Sequence, residues 1–305
     1  MIENNTSYQN GWGIEVGCEI VGKTTSNVTV RNNLLYDNTE SGLAFGGYDY
    51  PANSGKITNC VFTNNTIFSN DNTNTGNGEV VLNYSENCDF KNNIVYVSAN
   101  NFALTHSVAT PVNLTLDYNL YFCTGGISNI EFLYNNIGYV GFASYKSATG
   151  KDVNSIFGNP NFASASLPNP DLHITSASSA IDAGDPTFVA GSGEVDMDNQ
   201  IRIYNGIVDM GADEFGLPPS FVNDFSESNE LIIYPNPTSG TLEIKNEKIK
   251  IKNVEVYNAY GEEVYSEKIL NPKSILLNLD LPNGEYILLI STEGKTYRQK
   301  LLIVK

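Results

Sequence analysis

Only one tryptophan, two histidines, three methionines and four cysteines occur among the 305 residues, and charged residues make up just 17% of the chain. No two cysteines stand as CxxC, so a zinc or redox motif of that spacing is absent. No apolar run reaches the ~18 residues that a membrane-spanning helix needs. The opening "MIENNTSYQNGWG" has no basic n-region and no apolar h-region, so it is not a signal peptide. The chain is poor in the residues that fill helices and rich in Asn, Thr, Ser, Gly and β-branched residues, which favour strands and turns. Hydrophobic residues still amount to 41%, including 18 Tyr and 14 Phe, enough for a sizeable core. The composition predicts an all-β protein.

Charge is short of one sign in one region. Residues 1–230 hold seven of the 17 basic and 25 of the 34 acidic residues, whereas residues 231–305 are close to neutral. Such an acidic segment is a poor nucleic-acid binder. It either serves solubility alone or meets anionic polymers through bridging cations.

What the chain does have is a repeat. "NVTVRNNLLYDN" (27–38), "NCVFTNNTIFSN" (59–70), "NCDFKNNIVYVS" (87–98) and "NLTLDYNLYFCT" (113–124) align, with a partial copy at 2–10. Stacking them gives columns: Val28, Cys60, Cys88 and Leu114; Ile2, Val30, Phe62, Phe90 and Leu116; Tyr8, Tyr36, Phe68, Tyr96 and Phe122. Another column holds Asn5, Asn33, Asn65, Asn93 and Asn119, preceded by asparagine in every copy but the last, where Tyr118 stands. The alternation before the asparagines reads as a strand with one buried face. A second strand follows in "GIEVG", "GLAFG", "EVVLN" and "FALTH". Short strands on a repeat of this length make a solenoid with coils about 4.8 Å apart. The asparagine pair is then a corner, and an inward amide can bond the next coil as a ladder.

These repeats resemble the right-handed parallel β-helix superfamily of pectate-lyase-like proteins, over roughly residues 1–215. Segments 142–162, 171–186 and 196–215 resemble the coils that close such helices, so the closing part begins at about 142. The sequence starts inside a coil without a cap, and the expectation is that an N-terminal part of a longer secreted protein precedes it.

Residues 216–230, rich in Pro, Ser and acids, read as a linker. Strand-like runs separated by turn signals fill 231–305 and predict a small β-sandwich. "YPNPTSG" at 234–240, "YNAYGEEV" at 257–264 and "LPNGEYIL" at 281–288 resemble the type A sorting domain of the Bacteroidetes type IX (Por) secretion system. On that resemblance Tyr234, Pro235, Asn236, Pro237, Gly240, Gly261, Pro282, Gly284 and Tyr286 are the motif positions. The type IX machinery is the implied partner, and the location is secreted or at the outer cell surface.

Chemistry is harder to place. A β-helix enzyme works on a groove along one sheet, and the second strands are the natural candidate. If Ile14, Val16, Leu43, Phe45, Phe102 and Leu104 point inward, Glu15, Ala44, Ala103 and Thr105 point out. Strand 79–83 reads either way, with Glu79, Val81 and Asn83 or with Val80 and Leu82 outward. Loop residues Lys23, Asp49, Lys56 and His106 could contribute. Polyuronate elimination needs a base and a neutralising cation, and hydrolysis needs two flanking carboxylates. The outward set supplies one glutamate, or two. Trp12, Tyr48 and Tyr50 are candidates for stacking on sugars. Asp196 and Asp198 in "DMDN" begin like a calcium loop, but its glycine at position six and glutamate at position twelve are missing, so Ca2+ is a candidate and structural pairing with Arg202 the alternative. Cys60 and Cys88 read as stacked buried thiols or as a disulfide. His106 and His173 have no metal-ligand spacing. The Asn-x-Ser/Thr triplets at Asn5, Asn27, Asn64, Asn83 and Asn113 read as turn chemistry. The sequence thus points to an exported β-helix with a carbohydrate-associated binding or scaffold role. The alternatives are a polysaccharide lyase or glycosidase lacking some catalytic coils, and an adhesin-like solenoid.

Overall fold

The computed structural model describes residues 1–98, 102–106, 112–191, 193–216, 223–224, 231–246, 250–258, 260, 262–269, 274–292 and 296–305. The chain divides into two compact units, Met1–Leu217 and Pro218–Lys305. Most of the stretch 216–230, expected to be a linker, lies outside the described residues.

The first unit is a β-solenoid of stacked parallel coils. Its first sheet stacks Ile2–Glu3, Thr29–Arg31, Val61–Thr63, Asp89–Lys91 and Thr115–Asp117. The second stacks Thr6–Tyr8, Leu34–Tyr36, Thr66–Phe68, Ile94–Val97, Leu120–Cys123 and Ile156–Phe157. The third stacks Trp12–Val16, Ser41–Phe45, Val80–Leu82, Phe102–His106 and Glu131–Tyr134, edged by the antiparallel Ile137–Val140. The register follows the repeat: Val30 pairs Ile2 and Phe62, and Phe90 pairs Phe62 and Leu116. The alternation buries Val30, Phe62 and Phe90 completely while their strand neighbours stay nearer the surface. A fourth, small sheet (Thr24–Ser26, Lys56–Thr58, Ser85–Glu86) was not anticipated; its strands are too short to show a period.

The corner between the first two sheets divides the labour within each asparagine pair. The first member takes the left-handed backbone: φ is 55° at Asn32, 54° at Asn64 and 55° at Asn92, and Tyr118 accepts the same geometry at 54°. Asparagine tolerates this region best among non-glycine residues. The second member points inward and forms the ladder. Asn5 Nδ2 donates to Asn33 Oδ1 at 3.0 Å, Asn33 to Asn65 at 2.9 Å, Asn65 to Asn93 at 3.0 Å and Asn93 to Asn119 at 3.1 Å. Each backbone N–H donates to the same next-coil oxygen. The last rung, Asn119, donates to Asp152 Oδ1 at 3.2 Å and to Ser155 Oγ at 2.8 Å. Asp152 is fully buried and also accepts from the Tyr145 hydroxyl at 2.9 Å. The single helix among the described residues, Phe142–Thr149, brings Tyr145 and Phe142 over this end of the core.

A second ladder, unread in the sequence, occupies the next corner. The Asn10 N–H donates to Asn38 Oδ1, Asn38 Nδ2 donates to Asn70 Oδ1 at 2.8 Å, and Asn70 Nδ2 donates to Glu79 Oε2 at 2.8 Å. Gly42 makes room for it: a Cβ there would lie 2.5 Å from Asn70 Nδ2. Glu79, one of two readings for the outward face, is therefore buried and ends a ladder. Val80 and Leu82 point inward and Val81 outward, paired with Ala44 and Thr105. The expected alternation at 102–106 also fails. A register shift between Phe102 and Leu104 puts Ala103 in the core and leaves Phe102 half-buried outside it.

The aromatic column Tyr8, Tyr36, Phe68, Tyr96 and Phe122 lies on the outer face of the second sheet, whose inward positions are Leu35, Ile67, Val95 and Tyr121. The hairpin Phe162–Ser164 with Asp171–Ile174 roofs part of it, Phe162 packing on Phe68 and Tyr96 at centroid distances of 5.8 and 5.9 Å. Tyr8 stacks on Tyr36 at 5.1 Å with 48% of its surface exposed.

The second unit packs a five-stranded sheet, containing Ile251–Tyr257, Glu263–Lys268, Gly284–Thr292 and Thr296–Ile303, against a three-stranded one of Leu231–Tyr234, Thr241–Asn246 and Ser274–Asn278. One core joins them, with Leu242, Ile244, Val254, Val256, Leu288, Ile290 and Leu301 fully buried.

Burial pushes the Glu79 pKa up to about 8. An acid whose pKa is raised by folding holds its proton in the native state at pH values where the unfolded chain has lost it. Stability is then full below the ordinary carboxylate range and falls as pH rises toward about 8. Glu79→Gln, which fixes the neutral form, is expected to match the parent at about pH 5 and exceed it at about pH 9. Urea midpoints at the two pH values check this; a variant weaker than the parent at both would contradict it.

Candidate functional site

Three places on the molecule hold residues that could act on something else: the outer face of the third sheet, the closing segment, and the C-terminal unit.

On the third sheet Glu15, Ala44, Val81 and Thr105 share the outward column. Glu15 is exposed, but Ala44, Val81 and Thr105 are buried, Thr105 Oγ1 donating to the Asn77 carbonyl at 2.7 Å. The loop residues do not converge there as a catalytic set. Lys56 pairs with Glu86 and lies 5.5 Å from the Tyr50 ring centroid. Asp49 accepts the Asn53 side-chain amide. His106 is buried in the inward column opposite Leu82 and accepts from the Asn135 N–H at 3.2 Å; burial pushes its pKa down to about 4, so it is neutral. The three aromatic candidates form no single platform. Trp12 opens its strand opposite Ser41, half-buried, whereas Tyr48 and Tyr50 lie past the far end of the adjacent strand, Ser41–Phe45. Five residues of strand separate the two edges, roughly 13 Å. Tyr48 keeps its ring 56% exposed and donates its hydroxyl to the Asn53 carbonyl at 3.1 Å, while Tyr50 leans on Tyr84.

The closing segment runs back along the asparagine corner as a strap. The outward first members of the pairs hold it: Asn32 Nδ2 donates to the Val195 carbonyl at 2.8 Å, Asn64 Nδ2 to the Asp209 carbonyl at 3.1 Å, and Asn92 Oδ1 accepts from Asp185 N–H at 2.7 Å. Arg31–Glu194 at 2.6 Å and Lys91–Asp185 at 3.0 Å add ion pairs. Arg202 is fully buried and donates to the carbonyls of Asp209, Gly211 and Ala212 at 2.6–3.2 Å, with Glu214 4.0 Å away. Burial nevertheless pushes Glu214 up to about 8, and Asp209 and Asp213 up to about 6.

The calcium candidates separate. Asp196 spends Oδ1 on the amides of Asp198 and Gln200 and Oδ2 on that of Glu214. Asp198 turns instead to His173, its Oδ1 3.1 Å from Nε2. Asp213 lies beside this pair, and Asp171 contacts Nδ1 of the same ring. Sequence spacing gave no sign of this group, because its members come from three separated segments. Cys60 and Cys88 are buried and free, each donating its thiol to a main-chain carbonyl.

In the C-terminal unit the "YPNPTSG" motif clamps the last strand. Asn236 Nδ2 donates to the Lys300 carbonyl at 2.6 Å and its Oδ1 accepts from Leu302 N–H at 2.9 Å. The Thr238 N–H donates to the Leu302 carbonyl. Gly240 turns at φ 120°, where a Cβ would meet the Leu279 carbonyl oxygen at 2.7 Å. Tyr234 bonds Glu243 beneath the Lys245 ammonium, and Tyr286 donates to the Pro282 carbonyl at 3.0 Å, just ahead of the strand that Gly284 opens. Gly261 lies outside the described residues.

The molecule is thus a parallel β-solenoid followed by a compact β unit whose sequence motif is spent on its own terminal strand. Residues 232–305 match the family of secretion system C-terminal sorting domains (Por_Secre_tail). That domain marks the chain for export by the type IX system to the cell surface or beyond. The chain is also similar to the uncharacterized protein YwoF of Bacillus subtilis (strain 168), 28% identical over 162 residues, which are 53% of this chain and 34% of that protein. The matched region therefore spans about a third of that relative's length.

Arg202→Lys removes the planar fork that serves three carbonyls. It is expected to cost about 1–3 kcal/mol through unsatisfied buried acceptors. Limited proteolysis should then cut first within residues 182–212; a cleavage pattern unchanged from the parent would contradict this role.

Proposed function

We propose that this chain is an exported passenger with its own address: a β-solenoid that works outside the cell as a binding or scaffold module, with carbohydrate as its ligand class. The observation that carries the proposal is the pairing of a sorting domain at 232–305 with a solenoid face that offers the exposed Tyr48 ring and the half-buried Trp12 but no converging catalytic groups among the described residues. Elimination of a uronate needs a base beside a cation, and hydrolysis needs two carboxylates across the bond. The outward face carries two carboxylates, Glu15 and Glu131, on strands four apart in the sheet order, too far apart to flank one bond. Tyr48 and Trp12, at opposite edges of that sheet, suit stacking against successive parts of an extended polymer. The acidity of residues 1–215 favours neutral or cation-bridged glycans over bare polyanions.

Two measurements test this. A fluorescent reporter carrying a signal peptide and residues 231–305 is expected to reach the surface or medium of a type IX-competent host; retention in the periplasm would sink the address. On a glycan array the full chain is expected to retain a neutral polysaccharide without cleaving it. Tyr48→Ala and Trp12→Ala should each weaken retention about threefold to tenfold, the size of one lost aromatic contact. Turnover of the polymer, or binding indifferent to both substitutions, contradicts the binding role.

A further inference from the structure

His173, Asp198 and Asp213 come from the hairpin strand Asp171–Ile174, the turn at 196–200 and the end of the strap. One ligand atom from each lies within 4.8 Å of the other two. The group is built rather than incidental. Asp213 is only 6% exposed, and its Oδ2 accepts the Ile174 N–H at 2.7 Å, which fixes the carboxylate beside the histidine. Asp198 is held by its own N–H on Asp196 Oδ1 at 2.9 Å. The imidazole is oriented from behind: Asp171 takes Nδ1, so Nε2 faces Asp198. Charge does not balance with these groups alone. Three carboxylates surround one histidine, and the described ion pairs bring no lysine or arginine to Asp171, Asp198 or Asp213. Even with the imidazole protonated the cluster keeps an excess of about two negative charges. The histidine and Asp198 remain partly open to solvent, so an ion can enter.

We infer that His173 Nε2, Asp198 and Asp213 form a binding site for a divalent transition metal of the zinc class, with Asp171 as the positioning residue for the imidazole. A nitrogen donor with two carboxylates, and one coordination position left for water, fits zinc. Calcium takes six to eight oxygens and is not expected here. A carboxylate on the far ring nitrogen is the usual support of a metal-bound histidine. The bound ion joins the hairpin that roofs the outer aromatic column to the strap that closes the solenoid, so its binding also stabilises that layer.

The full chain, stripped with a chelator and titrated with Co2+, is expected to develop visible ligand-field absorption that saturates at one ion per chain. An equivalent of Zn2+ should remove it and Ca2+ should not. His173→Gln should abolish the signal, and Asp171→Asn should weaken Co2+ binding about tenfold to a hundredfold while leaving one site. Circular dichroism verifies that each variant folds; if His173→Gln does not, Asp198→Asn, at a partly exposed position, takes its place with the same expected loss. Absence of a saturable Co2+ spectrum in the parent overturns the site. So does a spectrum that survives His173→Gln or Asp198→Asn in folded protein, or displacement of Co2+ by Ca2+ as readily as by Zn2+.

Discussion

An asparagine side chain is both donor and acceptor, and stacked at one coil spacing it can satisfy itself only in a direction. Each inward amide of this solenoid gives its Nδ2 hydrogen to the oxygen of the next coil, from Asn5 through Asn33, Asn65 and Asn93 to Asn119. A ladder with that polarity ends with a donor to spare. Left unmade in the core, that donor would cost the full desolvation of an amide. Both ladders end instead on a buried carboxyl group, Asp152 for the first and Glu79 for the second. The rest of the unit follows. Coil spacing, the stacking of Val30 on Phe62 on Phe90, and the placing of the helix that brings Tyr145 to Asp152 all depend on amides that accept one register only.

The same corners also hold the outside. Because the first residue of each pair is left-handed, its side chain swings away from the core and meets the strap. One dipeptide thereby fixes the neighbouring coil and the closing layer together. The strap's carboxylates serve main-chain amides more than they serve lysines, and the buried Arg202 serves carbonyls. An acidic composition that suggests a surface property is, around the strap, partly internal wiring.

What could be read from the chain was what repeats with a regular interval. The inward asparagines recur every 26–32 residues with apolar neighbours, and the fold follows from them. The second ladder repeats too, at Asn10, Asn38 and Asn70, but its terminus is a glutamate nine residues further on across an irregular loop, and no periodic argument reaches it. The shift at Phe102–Leu104 is a local break in period two, invisible to a rule that assumes the period. The outer aromatic column was legible as a column but not as external, since its cover, Phe162, arrives 40 residues after Phe122. Sites suffer most from this limit. Asp196 and Asp198 look equivalent in "DMDN", yet one is consumed by backbone amides and the other faces a histidine 25 residues earlier in the chain.

The sorting motif was legible for a different reason. Its residues are neighbours in sequence and read as one local string, although the strand that Asn236 binds lies 64–66 residues further along the chain. The central claim concerns the solenoid, and amide hydrogen exchange tests it most directly. In the full chain the backbone N–H groups of Asn33, Asn65 and Asn93, each donating to a side-chain oxygen of the next coil, should exchange only through global unfolding. Exchange at those three positions as fast as in an unstructured chain would show that the ladders do not hold the coils.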